Sequence, residues 1–376
     1  MKIIYLGDAA AHHLRRWAKY FAGQGHEVHI ITFNPDFLDG YDPVHLHLVK
    51  KWFLHPSLFT RSLNLIPMII DLNRLIGNIN PDIIHSHSAA GYAWLTMLTG
   101  FHPFVVTPWG NDVLIEVQSS RIAKYFTRRA LINSDLITCD GTNTKNAMIN
   151  LGVDPTKIQL IIFGVDVRKF QRGLRNNYIR EKFSLQNSKI VISTRTLNPI
   201  HNLETFIRSI PLVLKSQPGS RFILVGHGSE QEYLLNLSKS LNVFDSIIFP
   251  GKIEEADMIA FLQASDIYVS TSLSESGLAA STAEAMACEL PIINTDTGDI
   301  RLWIENHNGD FIIPTRDPQI LAEKIIYLLE HQEDRIRFGK NNRKIIEERN
   351  NYYTEMEKML NLYRDLADRK KHSVLS

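Results

Sequence analysis

The sequence predicts two α/β domains, each a doubly wound, Rossmann-like parallel sheet. Short β-branched runs alternate with longer helical patterns along the chain, which is typical of parallel α/β architecture. The alternation is interrupted over 163–177, a stretch with charges and little periodicity, and then begins again. A chain of 376 residues is long enough for two ordinary domains. We expect the domains to face a central cleft at the carboxyl ends of both sheets, where such folds bind ligands.

In the first half, assigned to a domain over 1–165, each strand is a short apolar run. The predicted strands are 3–6, 28–32, 44–49, 82–85, 104–107, 136–139 and 158–162. Helical patterns lie between most of them, for example at 13–22 and 144–151. The segment 163–177 is interpreted as a hinge.

The second half, assigned to a domain over 178–345, repeats the pattern. Its predicted strands are 190–193, 222–225, 246–249, 267–270, 292–294 and 311–313, with helices at 203–215 and 231–241 among those between them. Residues 346–376 read as helical, with a charged end, and we expect them to pack back toward the N-terminal domain.

Composition indicates a globular protein without a strong electrostatic field of one sign. Hydrophobic residues make up 44% of the chain and charged residues 22%, and the net charge is +1, so nothing global points to nucleic acid. Cys139 and Cys288 are far apart, which fits buried thiols in a reducing compartment better than a disulfide framework or a zinc site. The N-terminus becomes acidic too soon for a signal peptide, and no apolar run could span a bilayer. We expect a cytoplasmic protein.

The most informative segment is 270–294, STSLSESGLAASTAEAMACELPIIN. A strand ends in a Ser/Thr-rich turn, a loop with Gly277 follows, and an Ala-rich helix begins. Unpaired backbone N–H groups and the helix dipole at such a place form an anion site. Glu284 suits a pair of sugar hydroxyls, so the segment predicts a nucleotide site. The alternative is a capping box, in which Ser281 caps the helix and Glu284 closes the box.

Further polar or glycine-containing turns follow other predicted strands of the second half. Arg195 follows one strand and precedes His201 by six residues, and Gly226-x-Gly228 follows the next. Phe249-Pro250-Gly251 ends another strand. No strand is followed by the full G-x-G-x-x-G fingerprint of dinucleotide-binding folds. The shorter glycine pair indicates close approach of the backbone, which would suit a flat base or a phosphate.

In the order and spacing of these features, the chain resembles the family 4 (group 1) retaining glycosyltransferases of the GT-B fold. The resemblance is specific from 194 to 294, where TRTLNPIHNLETFI, LVGHGSE, IIFPGKIEE, ASDIYVSTS and AEAMACELPII each match a family block. In the first half GHEVHIIT, PDIIHSH and TPWGNDV match more loosely.

The resemblance implies a donor site in the second half. Glu284 corresponds to the second glutamate of the family's Glu–seven residues–Glu motif, which holds the ribose hydroxyls. Arg195 and His201 would neutralise the diphosphate as it leaves. The diphosphate and sugar would be held by backbone N–H groups of the loop and helix start, and the base would be framed by two further segments. The first set is Gly277, Leu278, Ala279 and Ala280, and the second is Gly226, Gly228, Lys252 and Ile253.

In the first half, the resemblance places His87 near the donor sugar, as a catalytic residue at the domain interface, and it implies an acceptor site formed by Gly7, His13, Trp109 and Asp112. Other interpretations stay open. His85 and His87 could be satisfied polar residues, and residues 109–112 could be a simple turn. A metal site that adds His12 and His13 lacks a nearby carboxylate or cysteine with ligand spacing.

The implied chemistry explains the residue types. Breaking the bond between the sugar and a nucleoside diphosphate builds negative charge on the leaving phosphate, and fixed donors that stabilise this charge in the transition state raise the rate. Enzymes of this family need no metal or cofactor, and the chain has no D-x-D carboxylate pair. The resemblance implies transfer with retained anomeric configuration, and we expect a UDP-linked donor.

Two departures from the family pattern bear on catalysis. The family's first motif glutamate falls on Ser276, and the nearest carboxylate, Glu275, is one residue early, so it could substitute only after a loop shift. His201 stands where the family commonly has lysine. Since the unperturbed histidine pKa is about 6.5, we expect transfer to slow as pH rises past neutrality unless the diphosphate raises the His201 pKa.

Basic and aromatic residues cluster in the first half, at Arg15-Arg16, Lys50-Lys51-Trp52-Phe53, Arg61 and Arg128-Arg129. A solvated face beside ordinary core helices explains them. The sharper hypothesis is peripheral docking on an anionic membrane, at its inner face, to reach a lipid-linked acceptor.

The sequence thus predicts a glycosyltransferase that moves a sugar from a nucleoside-diphosphate sugar to a carbohydrate or lipid-linked glycan in polysaccharide or surface-glycan assembly. A nucleotide-sugar 2-epimerase of the same architecture is one alternative. An inactive relative that binds nucleotide sugar is another, because Ser276 replaces a motif glutamate.

Overall fold

The computed structural model describes residues 1–34, 42–49, 58–173, 177–304 and 311–375. The chain divides into two compact units: unit 1 is Met1–Ile162 with Thr354–Ser376, and unit 2 is Phe163–Tyr353. The predicted hinge starts at the boundary between the units, and residues 174–176 of it lie outside the described residues. Within this segment Val165 pairs with the end of unit 2, since its N–H donates to the Asn350 carbonyl at 2.8 Å.

Unit 1 contains a parallel sheet of seven strands. They are β1 Lys2–Leu6, β2 Glu27–Thr32, β3 His45–Leu48, β4 Ile83–His87, β5 Phe104–Thr107, β6 Leu136–Cys139 and β7 Ile158–Leu160, in the spatial order β3-β2-β1-β4-β5-β6-β7. The central strands read as continuous apolar runs because helices cover both faces of a parallel sheet. Those helices are α1 His12–Gly23, α2 Leu58–Ile79, α3 Tyr92–Thr99, α4 Asn111–Leu114, α5 Glu116–Ser119, α6 Arg121–Asn133 and α7 Thr142–Asn150.

Unit 2 repeats the arrangement with six parallel strands. They are β8 Ile190–Ser193, β9 Arg221–Val225, β10 Ile247–Gly251, β11 Ile267–Ser270, β12 Ile292–Thr295 and β13 Ile312–Ile313, in the order β10-β9-β8-β11-β12-β13. The helices are α8 Asn177–Lys182, α9 Leu203–Ser216, α10 Gln231–Ser240, α11 Glu255–Ala264, α12 Ala280–Ala287, α13 Ile300–Trp303, α14 Pro318–Glu330 and α15 Gln332–Arg349. The core joins residues of α9 and α14 to the sheet, for example Phe206, Phe222 and Leu328. The prediction of two doubly wound parallel-sheet domains is confirmed.

The last helix, α16 Tyr352–Leu375, completes unit 1. Its Glu355 carboxylate accepts a hydrogen bond from the Ile162 N–H at 3.0 Å, and its Tyr363 is fully buried. Lys370 donates to the Pro81 carbonyl at 3.1 Å. The final helix therefore belongs to the unit formed by the start of the chain, whereas residues 346–353 stay with unit 2.

Each sheet reverses its strand order at one point, between β1 and β4 in unit 1 and between β8 and β11 in unit 2. Loops at the carboxyl ends of the two strands diverge at such a switch point and leave a crevice that binds ligands in doubly wound folds. Gly7 follows β1 and His87 ends β4, while Arg195 follows β8 and Thr271 follows β11. The topology therefore puts predicted site residues at the switch point of each unit.

Both cysteines are buried, as predicted. Among the helices that the described ranges contain, none combines the length and apolarity that a bilayer crossing requires.

Candidate active site

In unit 2, the side chain of Arg195 is the centre of the candidate site. Its Nη1 donates to the Ser281 hydroxyl of α12 at 2.9 Å. Its Nη2 and Nε lie 2.9 and 3.3 Å from Nδ1 of His201. Nη2 also donates to a carboxylate oxygen of Glu275. The Arg195 and Glu275 side chains are only 11% and 15% exposed, so this is a largely buried ion pair rather than a surface contact.

His201 is neutral in this environment. Burial, with a further contribution from the positive charge of Arg195, lowers the pKa of His201 to about 3. Its Nδ1 accepts from Arg195 and lies 3.1 Å from the Ser272 hydroxyl, so the ring proton is on Nε2. The expectation of a partly charged histidine that titrates near neutrality is therefore wrong for the packed environment of His201. What His201 can offer a diphosphate is an N–H donor.

The start of α12 differs from the capping-box alternative. The N-cap residue is Ala279, which makes no side-chain cap, and Ser281 lies inside the first turn. The Ser281 hydroxyl instead accepts from Tyr268 at 2.9 Å as well as from Arg195. Glu284 is the fifth residue of the helix, beyond the first turn in which a capping box requires its acid. The capping box is wrong because buried partners outside the helix engage the serine, and Glu284 stays half-buried.

The glycine pair after β9 has a structural explanation. A Cβ on Gly226, whose φ is +142°, would lie 2.7 Å from the Arg195 carbonyl oxygen, and a Cβ on Gly228 would lie 2.3 Å from that of Leu197. The Leu197 N–H also donates to the His227 carbonyl at 3.0 Å. The close approach that the sequence indicated is thus made by the chain's own loop after β8, and it fixes the backbone that carries Arg195.

The loop before α12 is pressed against the turn after β12. A Cβ on Gly298 would lie 2.5 Å from the Gly277 carbonyl oxygen and 2.9 Å from Cβ of Glu275. Gly298 has a φ of +59°, which favours glycine. This packing fixes the backbone around Ser276 and opposes the loop shift considered for Glu275.

The remaining predicted donor-site residues flank this cluster. Gly277 and Leu278 are buried, Ala279 is half-buried and Ala280 is exposed at the start of α12. Lys252 is exposed and Ile253 half-buried directly after β10, at the same carboxyl edge of the sheet. The structure thus brings the predicted residues to one edge, whereas their individual roles stay predictions.

In unit 1, His87 lies in a cage of rings. The ring centroids of Tyr5, Trp17, His85 and Trp109 lie 5.3, 5.2, 4.5 and 5.6 Å from that of His87. His87 is 2% exposed, and within the described residues neither of its ring nitrogens has a hydrogen-bond partner. Burial, with a further contribution from His13, lowers the pKa of His87 to about 3, so the ring is neutral.

Gly7 and His13 extend this cage. A Cβ on Gly7 would lie 3.2 Å from Cβ of His87, so glycine lets the end of β1 pack closely on the histidine. The His13 ring lies 5.1 Å from that of Trp109, and burial, with the charges of His12 and Arg16, lowers the pKa of His13 to about 3. The predicted residues Gly7, His13, His87 and Trp109 therefore lie together in unit 1.

Asp112 links the loops after β4 and β5. One carboxylate oxygen accepts from the Ala89 N–H at 2.6 Å and from the Ser88 hydroxyl at 3.1 Å, and the other accepts from the Trp109 N–H at 3.0 Å. Burial raises the pKa of Asp112, against the opposite effect of these bonds. Residues 111 and 112 begin the short helix α4, so the simple-turn interpretation applies only to the residues before them, and the acceptor role of Asp112 stays a prediction.

Sequence reasoning missed a buried network behind His87. His85 contacts the Tyr363 hydroxyl through Nδ1 and the Thr107 hydroxyl through Nε2, at 2.5 and 2.6 Å, and Tyr363 also donates to the Tyr5 hydroxyl at 3.2 Å. Tyr363 lies 278 positions from His85 in the chain, so no local pattern could reveal the contact. The network supports two of the rings that enclose His87.

Lys50, Lys51, Trp52 and Phe53 lie outside the described residues, and the side chain of Arg61 is not described. Within the ranges that are described, no group of three or more His, Cys, Asp or Glu side chains could hold a metal ion.

Two family models match the chain. Glycosyl transferases group 1 matches residues 175–345, and Glycosyl transferase 4-like matches residues 2–141. Together they cover most of both units.

Two curated relatives match along more than four fifths of their lengths. N-acetyl-alpha-D-glucosaminyl L-malate synthase of Bacillus anthracis is 25% identical over 324 residues, 84% of this chain and 83% of the relative. UDP-Gal:alpha-D-GlcNAc-diphosphoundecaprenol alpha-1,3-galactosyltransferase of Escherichia coli is 25% identical over 339 residues, 85% and 84% of the two chains.

Solved structures share the fold over nearly the whole chain. HepE of Anabaena, in complex with UDP and glucose, superimposes with a TM-score of 0.82 and 18% identity, covering 97% of this chain and 100% of that one. Sucrose-phosphate synthase of Thermosynechococcus elongatus gives a TM-score of 0.81 at 18% identity, covering 97% and 99%.

Proposed function

We propose that this chain, which belongs to the group 1, family 4 glycosyltransferases and has the GT-B fold, transfers a sugar from a UDP-linked donor to a glycan or lipid-linked acceptor. Unit 2 would bind the donor and unit 1 the acceptor. The family membership supports the reaction class, and the named relatives support the finer assignment of donor and acceptor.

The convergence of donors at the switch point of unit 2 carries this proposal. The Arg195 guanidinium reaches the first turn of α12 through Ser281, and the Nε2–H of neutral His201 adjoins it. The N–H groups at the start of a helix have no acceptor within the helix and attract anions. A diphosphate bound here would lie on a cation and on these N–H groups, and Glu284 lies further along the same helix for the ribose.

The chemistry proposed for this site is stabilisation of the leaving group. Negative charge grows on the diphosphate as its bond to the sugar breaks, and fixed donors in a largely buried site stabilise that charge. The buried Tyr268 hydroxyl and the glycine-packed loop after β8 hold Ser281 and Arg195 in place, which limits reorganisation during the reaction.

We further propose that the reaction proceeds with retention and without a metal ion. The family resemblance supports both. In this proposal a ring nitrogen of neutral His87, which has no hydrogen-bond partner among the described residues, forms a hydrogen bond to a sugar hydroxyl without the cost of desolvating a charge.

Donor binding and transfer test the proposal in two stages. In a panel of UDP-, GDP- and ADP-sugars, the matching donor at one hundred times its dissociation constant should add about 2.7 kcal/mol of apparent stability. Incubation of that donor with lipid-linked and free glycan acceptors should release UDP and yield an α-linked product, detected by NMR, from an α-linked donor.

Two outcomes would favour the alternatives. Donor consumption without an acceptor, with exchange of the sugar C2 proton for solvent deuterium, would indicate a 2-epimerase. Tight donor binding without transfer to any acceptor in cell extracts would indicate a nucleotide-sugar-binding relative.

We also propose that α6 docks unit 1 on an anionic membrane. Ile122 and Tyr125 are 67% and 59% exposed on this helix. The helix also has exposed basic residues, and it contains no acidic residue. The basic residues are Arg121, Lys124, Arg128 and Arg129. Apolar and aromatic side chains enter the headgroup region while nearby cations attract anionic lipid.

Vesicle co-sedimentation tests this docking surface. The wild-type protein should pellet with vesicles containing phosphatidylglycerol and remain in the supernatant with phosphatidylcholine alone. Ile122→Ser with Tyr125→Ser should abolish pelleting, whereas Leu302→Ser, which changes a 55% exposed leucine of unit 2, should not. Equal pelleting of both variants would rule out α6 as the docking surface.

A further inference from the structure

We propose that the carboxylate of Glu275 and the donor's diphosphate compete for Arg195, and that the donor binds by exchanging its phosphate oxygens for this carboxylate. The inference rests on the proposed donor site. It assigns Glu275 as a residue that determines which anions the site accepts.

Arg195 has little capacity left for a ligand while Glu275 is in place. A guanidinium has five N–H donors. In the described structure, four of them are directed at protein acceptors, namely Ser281, His201 and Glu275. A diphosphate therefore engages this arginine in its usual bidentate way only by displacing a protein acceptor.

Glu275 is the acceptor whose replacement by phosphate preserves the charge balance. Ser281 and His201 are neutral, whereas Glu275 provides a negative charge to a cation at the positive end of α12. Because the pair is largely buried, an incoming anion that supplies only one charge and one acceptor gains nothing over the carboxylate that it displaces. A diphosphate supplies more negative charge and more acceptor oxygens, so the exchange favours diphosphates over monophosphates.

The exchange needs rotation of the Glu275 side chain rather than movement of its loop. Gly298 lies against this loop, with room for no Cβ, and the Asp299 N–H lies 3.4 Å from the Gly277 carbonyl oxygen. The backbone is thus supported, and in the proposed exchange the carboxylate, 15% exposed, turns away from Arg195 by rotation of its side chain.

The contact between Glu275 and Arg195 explains why the motif carboxylate stands one residue earlier than in the family pattern. The family pattern places its first glutamate at the position of Ser276, whereas this chain has its carboxylate at Glu275, and the structure directs that carboxylate to the guanidinium. In the proposal, Glu275 at this shifted motif position competes with the diphosphate for Arg195.

Calorimetric titration with inorganic pyrophosphate, UDP and UMP tests the exchange in the full chain. Glu275→Gln keeps the size of the side chain but removes its charge, and should tighten pyrophosphate and UDP binding by about tenfold. It should also reduce the preference for UDP over UMP. The matched control is Glu289→Gln, which removes a carboxylate paired with Arg172 elsewhere in unit 2 and should leave all three affinities unchanged.

Unchanged or weaker pyrophosphate binding by Glu275→Gln would overturn the exchange, even if the wild-type protein transfers sugar. Conversely, tighter pyrophosphate binding by this variant with no sugar transfer by the wild type would support the exchange and contradict the proposed function.

A measurement on the wild-type protein covers the case in which Glu275→Gln does not fold. The side-chain carboxyl ¹³C resonance of Glu275, assigned with Glu275→Asp, should shift when pyrophosphate saturates the site. An unmoved resonance at saturation would overturn the exchange.

Discussion

In both units the candidate residues lie at the switch point of the sheet, but their surroundings differ in charge. They are neutral in unit 1 and charged in unit 2. In unit 1, neutral rings enclose His87, whose nitrogens have no partner within the described residues. In unit 2, Arg195 is held by an ion pair and by neutral acceptors. The fold determines where a site forms, while the side chains at the strand ends determine which ligand it suits. A histidine nitrogen among aromatic rings suits a sugar hydroxyl, and a cation at the start of a helix suits a phosphate.

The largest effect should follow from removal of the cation in unit 2. We expect Arg195→Gln combined with Glu275→Gln to lower the turnover rate about 10²- to 10³-fold, as for loss of one transition-state donor worth about 2.7–4 kcal/mol. The double substitution avoids leaving a buried carboxylate unpaired. Steady-state kinetics measures the effect, with thermal unfolding to confirm folding. Turnover within twofold of wild type would show that Arg195 does not stabilise the leaving group.

Removal of the polar atoms of the ring cage should have a smaller effect and a different kinetic signature. His87→Phe keeps a ring in the cage but loses both nitrogens. If one of them binds a sugar hydroxyl, turnover should fall about 2- to 10-fold, which corresponds to about 0.5–1.5 kcal/mol for a hydrogen bond between neutral groups. UDP affinity, measured by calorimetry, should stay the same. A parallel loss of UDP affinity would contradict the division of roles between the units.

The network behind the cage should matter for stability. Tyr363→Phe leaves His85 without one buried partner and should lower the free energy of unfolding by about 1–3 kcal/mol. Urea denaturation measures the change. The control is Tyr327→Phe, which removes the hydroxyl of a 40% exposed tyrosine bonded to Asp334 and should have little effect. Equal effects of the two substitutions would argue against the network.

The buried neutral histidines should also make stability depend on pH. The folded-state pKa values of His13 and His87 are lowered to about 3, so the unfolded chain binds more protons as pH falls below about 6.5. The free energy of unfolding should therefore decrease as pH drops from 6.5 toward 3. The slope should be shallower for His87→Phe, as urea denaturation at several pH values would reveal. An unchanged slope would contradict a neutral, buried His87.

The smallest effect is expected at His201. Because its pKa is lowered to about 3, His201 is neutral from pH 6 to 9. A plot of UDP affinity against pH should therefore show no histidine titration over that range. His201→Gln retains an N–H donor and should change the affinity by less than about tenfold, the factor equivalent to 1.4 kcal/mol. If the wild type lost UDP affinity with a midpoint near pH 6.5 and His201→Gln did not, the interpretation of His201 as a charged residue would be correct.

Local patterns predicted the strands because a parallel strand is a short apolar run, as in residues 104–107 and 267–270, which match β5 and β11. They also predicted that Arg195 follows a strand. They failed where side chains choose partners across the fold. Ser281 fits a helix cap by sequence, yet it accepts from Tyr268 and Arg195 instead. The charge of His201 was mispredicted because burial depends on the packed environment, which sequence spacing does not specify.

A structure determined with UDP bound tests the central claim most directly. We predict diphosphate oxygens about 2.7–3.1 Å from the Arg195 guanidinium and from backbone N–H groups at the start of α12, with the Glu275 carboxylate turned away from Arg195. UDP bound elsewhere, with the Arg195–Glu275 pair intact, would contradict the account.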